Sequence, residues 1–216
     1  MPSVSVKICG MVTPQDVAAS VDAGADYLGF VFFERSPRNL SISQARTLTQ
    51  GMLQKVGKVA LLVNPTDAFV EELCANVPID LLQLHGSETP ARVAQIRAKT
   101  GVPVMKALGV ADQSDLSAID NYAEVADQIL VDAKPPKGGD LPGGNGLSFD
   151  WRLIADRTWS QPWMLAGGLS EQNVSEAIKR TSATQVDVSS GVETAPGQKD
   201  AKRIRAFVKA AKATQG

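Results

Sequence analysis

The sequence predicts an α/β protein that forms a closed barrel of eight parallel strands surrounded by helices, the (β/α)8 or TIM barrel. Three observations predict this fold. Short apolar runs, most of them with β-branched residues, occur eight times along the 216 residues. Each is followed by a turn and a longer segment with the helical spacing of Ala, Leu, Ile and Val. Successive runs start roughly 20 to 35 residues apart, the length of one strand, one helix and two loops. Eight such units close a barrel.

The predicted strands alternate with helical segments along the whole chain. They cover residues 4–9, 27–32, 59–63, 81–84, 104–108, 128–132, 163–166 and 184–189. An open, doubly wound sheet is the competing architecture, but it usually has fewer repeats and does not explain a regular count of eight. No composition shift or linker divides the chain, so we expect a single domain, residues 1–216.

Capping residues support the helices between these strands. Thr13-Pro14 places a capping hydroxyl before a proline at the first helical position. Similar starts are predicted at Ser43, Thr66, Thr89 and Ser170. The last helix, from about residue 200 to residue 212, closes the ring.

Composition excludes several functional classes. With a formal net charge of −1, the chain has no strongly basic balance that would argue for binding nucleic acid. The longest apolar runs, such as residues 59–63, are too short to span a bilayer, and the N-terminus lacks the layout of a signal peptide. Two distant cysteines and one histidine form neither a disulfide framework nor a usual zinc site. We therefore expect a soluble, cytoplasmic protein without a nucleic-acid or membrane partner and without a metal. We also expect it to be a monomer.

A thiol and a carboxyl stand at the ends of two predicted strands. Cys9 ends the first strand and Asp132 ends the sixth in the same register. Active sites of this barrel lie at the carboxyl ends of the strands, so the two groups would face one pocket. Each has a simpler explanation, Cys9 as core filling and Asp132 as a turn or capping residue. Together they favour a general base and a general acid.

Other polar residues follow the strands. Arg38, in the loop after the second strand, could grip a carboxylate with two hydrogen bonds, or could be a solvated surface charge. His85 closes the fourth strand and could contact a substrate or be a hydrogen-bonded structural residue. Cys74 falls within a helix and is interpreted as packing. The Gly- and Pro-rich residues 134–146 directly after Asp132 are predicted to form a mobile loop, either a lid or a linker.

Two Gly/Ser-rich loops follow the seventh and eighth strands, where barrels of this type often bind a phosphate. They contain Gly167 and Gly168, and Ser189, Ser190 and Gly191. Glycines let backbone amides approach an anion closely, and the helix start after Gly168 adds a favourable partial charge. Either loop alone is most often a turn, but the pair predicts a phosphate site.

A series of motifs resembles one known family along nearly the whole chain, the phosphoribosylanthranilate isomerases of tryptophan biosynthesis. The motifs are KICG, GFVF with SPR, QLHG, LVDAK, GGNG with FDW, AGGL, and VDVSSGVE with PGQKD, in that order. The resemblance implies a barrel that converts N-(5-phospho-β-D-ribosyl)anthranilate to 1-(2-carboxyphenylamino)-1-deoxy-D-ribulose 5-phosphate by an Amadori rearrangement, without a cofactor. The expected partner is therefore a small phosphosugar.

The resemblance also implies roles for single residues. Cys9 would be the general base, Asp132 the general acid, and Arg38 the residue that positions the anthranilate carboxylate. The AGGL glycines and VDVSSG serines would hold the phosphate. Asp187 resembles a residue that orients the sugar, and Lys7 is a candidate substrate contact beside it. Strand alternation places Asp187 equally well in a buried polar network with Lys7, a structural role.

The sequence differs from the family pattern in the loop after Asp132. Residues 137–142 lengthen the loop after Asp132, and Asn145 stands where a serine or threonine is expected. Both differences would affect when a lid closes over the site.

The related indole-glycerol-phosphate synthases rely on lysine and glutamate at their strand ends, so Cys9 with Asp132 argues against them. A barrel that only senses a phosphorylated metabolite would tolerate loss of the acid or base, yet both are present.

Overall fold

The computed structural model describes residues 4–52, 55–134 and 149–215, and it confirms the predicted closed barrel of eight parallel strands. The strands pair in sequence order, and β8 pairs with β1 to close the ring. Their bounds are β1 (Ser5–Cys9), β2 (Tyr27–Phe32), β3 (Gly57–Leu62), β4 (Leu81–Leu84), β5 (Val104–Val110), β6 (Gln128–Ala133), β7 (Trp163–Leu165) and β8 (Gln185–Val188).

The helices surround the strands. Their bounds are α1 (Pro14–Asp22), α2 (Ile42–Thr49), α3 (Asp67–Asn76), α4 (Pro90–Thr100), α5 (Leu116–Asp120), α6 (Val174–Thr181) and α7 (Ala201–Lys212). Thr13, Thr66 and Thr89 cap their helices as predicted, each hydroxyl accepting a backbone N–H of the first turn. No helix among the described residues is long and apolar enough to cross a membrane.

Two predicted helix starts are wrong by a few residues. Ser41, not Ser43, caps α2, because Ser41 and Gln44 form a reciprocal capping box. Ser170 begins a turn, and α6 starts only after Asn173. In both cases the hydroxyl-bearing residue that sequence reasoning selected lies near the helix end, but the backbone geometry places the cap elsewhere.

Two further features differ from a regular alternation of strand and helix. Between β6 and β7, the described residues 149–162 contain one 3-10 turn, Trp151–Leu153, and no α-helix. After β8 the chain forms an antiparallel hairpin of β9 (Glu193–Ala195) and β10 (Gln198–Lys199) before α7 begins. The hairpin brings additional charged side chains to the carboxyl end of the barrel.

The strands are buried on both faces, as expected for a parallel sheet covered by helices. One apolar cluster fills the space between strands and helices. A smaller cluster lies inside the barrel and includes Tyr27, Val59, Leu81, Met105, Leu130 and Met164. The strand register pairs Lys7 with Tyr27 and Cys9 with Gly29. Because side chains alternate along a strand, Lys7 and Cys9 both point into the barrel.

Candidate active site

Cys9 is the last residue of β1, and its thiol lies at the carboxyl end of the barrel interior. Its partner in the register is Gly29 of β2. A side-chain carbon built on Gly29 would lie only 2.7 Å from the Cys9 Sγ, which is too close for any real contact. Cys9 is 4% exposed. The sulfur therefore occupies space that the neighbouring strand leaves open by having a glycine.

A buried ion pair lies directly below the thiol. Lys7, two residues before Cys9 on the same face of β1, donates from Nζ to Asp187 Oδ1 at 2.8 Å. The two residues are register partners on β1 and β8, and Lys7 is fully buried. Burial lowers the pKa of Lys7, but the charges of Asp187 and Cys9 outweigh burial and raise the pKa overall. Lys7 is therefore a cation held under the thiol.

The thiol experiences opposing influences from its surroundings. Burial raises the pKa of Cys9, and the negative charge of Asp187 raises it further, while the positive charges of Lys7, Lys199 and Arg38 lower it. The net pKa is raised above its ordinary value. The cations thus limit the effect of burial without cancelling it.

Asp132 lies on β6, in register with Gly109 of β5, and is almost fully buried. Its Oδ1 accepts the N–H of Ala133 at 2.8 Å. Its Oδ2 lies 3.4 Å from Nε2 of His85. The other ring nitrogen of His85 lies 3.2 Å from the side-chain amide nitrogen of Gln83. If that amide donates to Nδ1, the Nε2 of a neutral ring carries the proton and points it at the carboxylate. His85 is therefore placed beside the candidate acid.

Arg38 is buried, so the alternative of a solvated surface arginine is wrong. It is 5% exposed. Its Nε and Nη2 donate to the two carboxylate oxygens of Glu193 at 2.8 and 2.7 Å. Lys199 donates to the same carboxylate at 2.7 Å. A side-chain carbon on Gly10 would overlap the Arg38 Cδ, so the glycine after Cys9 makes room for the arginine.

The two loops predicted to bind phosphate pack against each other. A side-chain carbon on Gly191 would overlap the carbonyl oxygen of Leu169, so only glycine permits this approach. Gly167 and Gly168 have φ angles of +87° and +60°, a conformation that favours glycine. Neither of their amide N–H groups is hydrogen-bonded to another of the described residues. Both donors are thus free to bind an anion.

Ser189 makes contacts within the protein in addition to its predicted contact with phosphate. Its hydroxyl donates to the backbone carbonyl of Cys9 at 3.1 Å. Lys199 Nζ lies 3.1 Å from the Ser189 carbonyl oxygen and 3.4 Å from its hydroxyl oxygen. Ser189 thereby connects β8 to the candidate base, and its phosphate contact stays a prediction. Ser190 and Gly191 follow in a short 3-10 turn, Ser190–Val192.

The structure brings most of the predicted residues to one end of the barrel. Lys7 and Asp187 are joined by a hydrogen bond, and the charges of both act on Cys9. Asp132 and His85 are in contact. Of the predicted lid, residues 135–146 lie outside the described residues. Cys74 is half-buried in α3 and packs against the outer core, in line with its interpretation as packing.

Sequence reasoning missed the roles of Gly29, Glu193 and Lys199. Gly29 could have been noticed as a glycine inside a predicted strand, which often marks a close approach. Glu193 and Lys199 belong to the VDVSSGVE and PGQKD motifs, and a Pro-Gly pair between two charged residues is typical of a turn.

Fold and site together define a (β/α)8-barrel protein with a polar, largely buried site at the carboxyl ends of its strands. A family model described as N-(5'-phosphoribosyl)anthranilate (PRA) isomerase matches residues 6–210. The N-(5'-phosphoribosyl)anthranilate isomerase of Cereibacter sphaeroides is 58% identical over 98% of this chain and 100% of that protein. This chain therefore belongs to the N-(5'-phosphoribosyl)anthranilate isomerase family.

Solved structures agree with this assignment. A phosphoribosyl anthranilate isomerase in complex with reduced 1-(o-carboxyphenylamino)-1-deoxyribulose 5-phosphate is 36% identical, with a TM-score of 0.84, and the match covers 97% of this chain and 99% of that one. Monomers generated from the dimeric enzyme of Thermotoga maritima are 37% identical, with a TM-score of 0.83 and the same coverage. The expected monomeric state of this chain stays a prediction.

Proposed function

We propose that this chain isomerises N-(5-phospho-β-D-ribosyl)anthranilate to 1-(2-carboxyphenylamino)-1-deoxy-D-ribulose 5-phosphate in tryptophan biosynthesis, with Cys9 as general base and Asp132 as general acid. One observation carries this proposal. In a member of this family, the thiol and the carboxyl both lie almost fully buried at the carboxyl ends of β1 and β6. That end of the barrel is where active sites of this fold are built.

The chemistry consists of proton transfers. Asp132 gives a proton to the furanose ring oxygen, the ring C–O bond breaks, and a protonated Schiff base forms. The Cys9 thiolate then takes the proton from C2′, which leaves an enolamine that tautomerises to the ketone. Once Asp132 has delivered its proton, it is a carboxylate beside His85. In the His85 tautomer whose Nδ1 accepts from Gln83, the Nε2 proton would stabilise that charge. A positioned general acid or base contributes about 10² to 10⁴ in rate.

The charged surroundings of Cys9 suit a base that must lose its proton inside a buried site. Burial alone would keep the thiol protonated. Lys7 and Lys199 supply positive charge that stabilises the thiolate. Lys7 is itself paired with Asp187, so Asp187 moderates this effect. Roles for Lys7 and Asp187 in supporting the base therefore have more geometric support than the direct substrate contacts predicted from the sequence.

Two groups of residues would bind the two ends of the substrate and hold it between the base Cys9 and the acid Asp132. Arg38 would bind the anthranilate carboxylate through donors that Glu193 does not use. The loops that contain Gly167, Gly168 and Gly191 would bind the phosphate through backbone amides and the adjacent Ser190. Fixing both ends of a substrate places the reacting carbon against the catalytic groups and removes much of the entropic cost of the reaction.

The direct test is the anthranilate fluorescence of the substrate. Adding the purified chain to N-(5-phospho-β-D-ribosyl)anthranilate should abolish that emission at a rate proportional to enzyme, with the product confirmed by mass. A Gly168→Asp variant should turn over poorly and lose competitive inhibition by inorganic phosphate, because a carboxylate would repel the anion. Unchanged emission with the folded parent chain would refute the proposed reaction, and unchanged phosphate inhibition in Gly168→Asp would refute the phosphate site alone.

A further inference from the structure

The guanidinium of Arg38 is already occupied along one edge. Glu193 accepts hydrogen bonds from Nε at 2.8 Å and from Nη2 at 2.7 Å. A guanidinium has a second edge, formed by Nη1 and the other hydrogen of Nη2, that can also bind a carboxylate with two hydrogen bonds. Nη1 of Arg38 donates to none of the described residues. A substrate carboxylate can therefore bind Arg38 without displacing Glu193.

The charge balance around this pair depends on Lys199. Arg38 and Glu193 alone form a neutral pair, which would attract an anion weakly. Lys199 Nζ lies 2.7 Å from Glu193 Oε1, and its side chain is fully buried. Burial lowers the pKa of Lys199, and the charge and hydrogen bond of Glu193 oppose this effect. With Lys199 protonated, the three buried side chains carry one net positive charge, which a substrate carboxylate would neutralise.

The hairpin that carries both residues is fixed against its surroundings. Asp200, the capping residue of α7, donates its N–H to the Val192 carbonyl at 2.9 Å. Arg203 of α7 donates to the Glu193 carbonyl. At the hairpin turn, a side-chain carbon on Gly197 would lie only 2.8 Å from the Pro37 carbonyl, so the turn packs against the loop that carries Arg38. The Glu193 carboxylate is thus a rigid acceptor rather than a mobile competitor.

We propose that Glu193 and Lys199 are positioning residues for substrate recognition. Glu193 holds one edge of Arg38 so that the Nη1/Nη2 edge is presented to the substrate carboxylate, and Lys199 keeps the group net positive. This inference rests on the proposed function, because it requires that Arg38 binds the anthranilate carboxylate. In this proposal, the β9–β10 hairpin contributes to recognition of the anthranilate carboxylate.

The test compares two ligands that differ only in the carboxylate. The first is reduced 1-(o-carboxyphenylamino)-1-deoxyribulose 5-phosphate, and the second is its phenylamino counterpart. Calorimetry gives the ratio of their dissociation constants, the carboxylate preference, for the parent, Arg38→Met, Glu193→Gln and Lys199→Met. We expect a parental preference of about tenfold or more, the scale of a charge-assisted hydrogen bond. Both Glu193→Gln and Lys199→Met should reduce it to near the Arg38→Met value.

A matched control separates positioning from general destabilisation. Glu88→Gln also removes the charge of a buried glutamate paired with a lysine, Lys106, at 2.8 Å. It should lose thermal stability and keep the carboxylate preference. A parental or increased carboxylate preference in folded Glu193→Gln would overturn the inference. An unchanged preference in Lys199→Met would also overturn it. If Glu193→Gln does not fold, the Lys199→Met result alone decides. An unchanged preference in Arg38→Met would instead overturn the proposed role of Arg38.

Discussion

Replacing Asp187 by asparagine tests the buried ion pair under the thiol. Lys7 is fully buried and Asp187 is its salt-bridge partner at 2.8 Å, so the substitution leaves an uncompensated charge in the barrel. Removing one partner of a buried pair costs about 3 to 5 kcal/mol. For a chain of this size each kcal/mol corresponds to about 2 to 4 °C in Tm, so we expect a loss of about 6 to 20 °C.

The same substitution should change the thiol in a defined direction. The negative charge of Asp187 raises the pKa of Cys9. While Lys7 keeps its charge, removing the negative charge of Asp187 lowers the pKa of Cys9 and increases its thiolate fraction at neutral pH, so alkylation of Cys9 by iodoacetamide should be faster than in the parent. The assay requires a Cys74→Ala background, because Cys74 is a second, half-buried thiol. Urea unfolding monitored by tryptophan fluorescence gives the stability change.

An exposed ion pair provides the control for this experiment. Glu176 and Arg180 of α6 are 2.6 Å apart but more than half exposed, so Glu176→Gln should cost only about 0.3 to 0.5 kcal/mol. If Asp187→Asn costs no more than this control, or if its thiol is alkylated more slowly than the parental thiol, the ion pair does not act on Cys9 as the structure indicates.

Three other changes have defined outcomes. Gly191→Ala should weaken competitive inhibition by inorganic phosphate about tenfold or more, because the added carbon must move the loop away from the Leu169 carbonyl; unchanged inhibition would place the phosphate elsewhere. Gly29→Ala should displace the Cys9 sulfur and lower kcat by about 10²-fold while the fold persists, as circular dichroism would verify. The pKa of Glu193 is below its ordinary 4.5, because hydrogen bonds and charge from its cationic partners outweigh burial. Ionised Glu193 therefore contributes to the free energy of unfolding above this ordinary value, and the contribution is lost as the pH falls through the lower folded-state pKa. Acid unfolding of Glu193→Gln should lack this pH-dependent contribution.

The repeated units made the barrel predictable from the sequence. Six of the eight strands contain β-branched residues, the exceptions being β4 and β7, and capping hydroxyls such as Thr13, Thr66 and Thr89 mark helix starts by a local mechanism. The same local signals explain the errors. Ser43 has the right chemistry for a cap, but the reciprocal bonds of Ser41 and Gln44 decide where α2 begins.

The site was predictable where function follows from strand position. Cys9 and Asp132 were selected because each ends a strand, and this rule depends only on the fold. Glu193 was not selected, because its role depends on a contact with Arg38, which is 155 residues away in sequence. The alternation of side chains indicated that Asp187 could meet Lys7, but only the closed barrel, with β8 beside β1, makes them direct partners.

The most direct test of the acid–base account is the kcat of Cys9→Ser, measured by loss of substrate fluorescence. Serine keeps the size of the side chain but provides a far less acidic hydroxyl. The account predicts a folded protein that binds the reduced product analogue with parental affinity and turns over at least about a hundredfold more slowly. Asp132→Asn should behave in the same way. Turnover by Cys9→Ser at close to the parental rate, with only its melting temperature changed, would show that the thiol is core packing and contradict the mechanism.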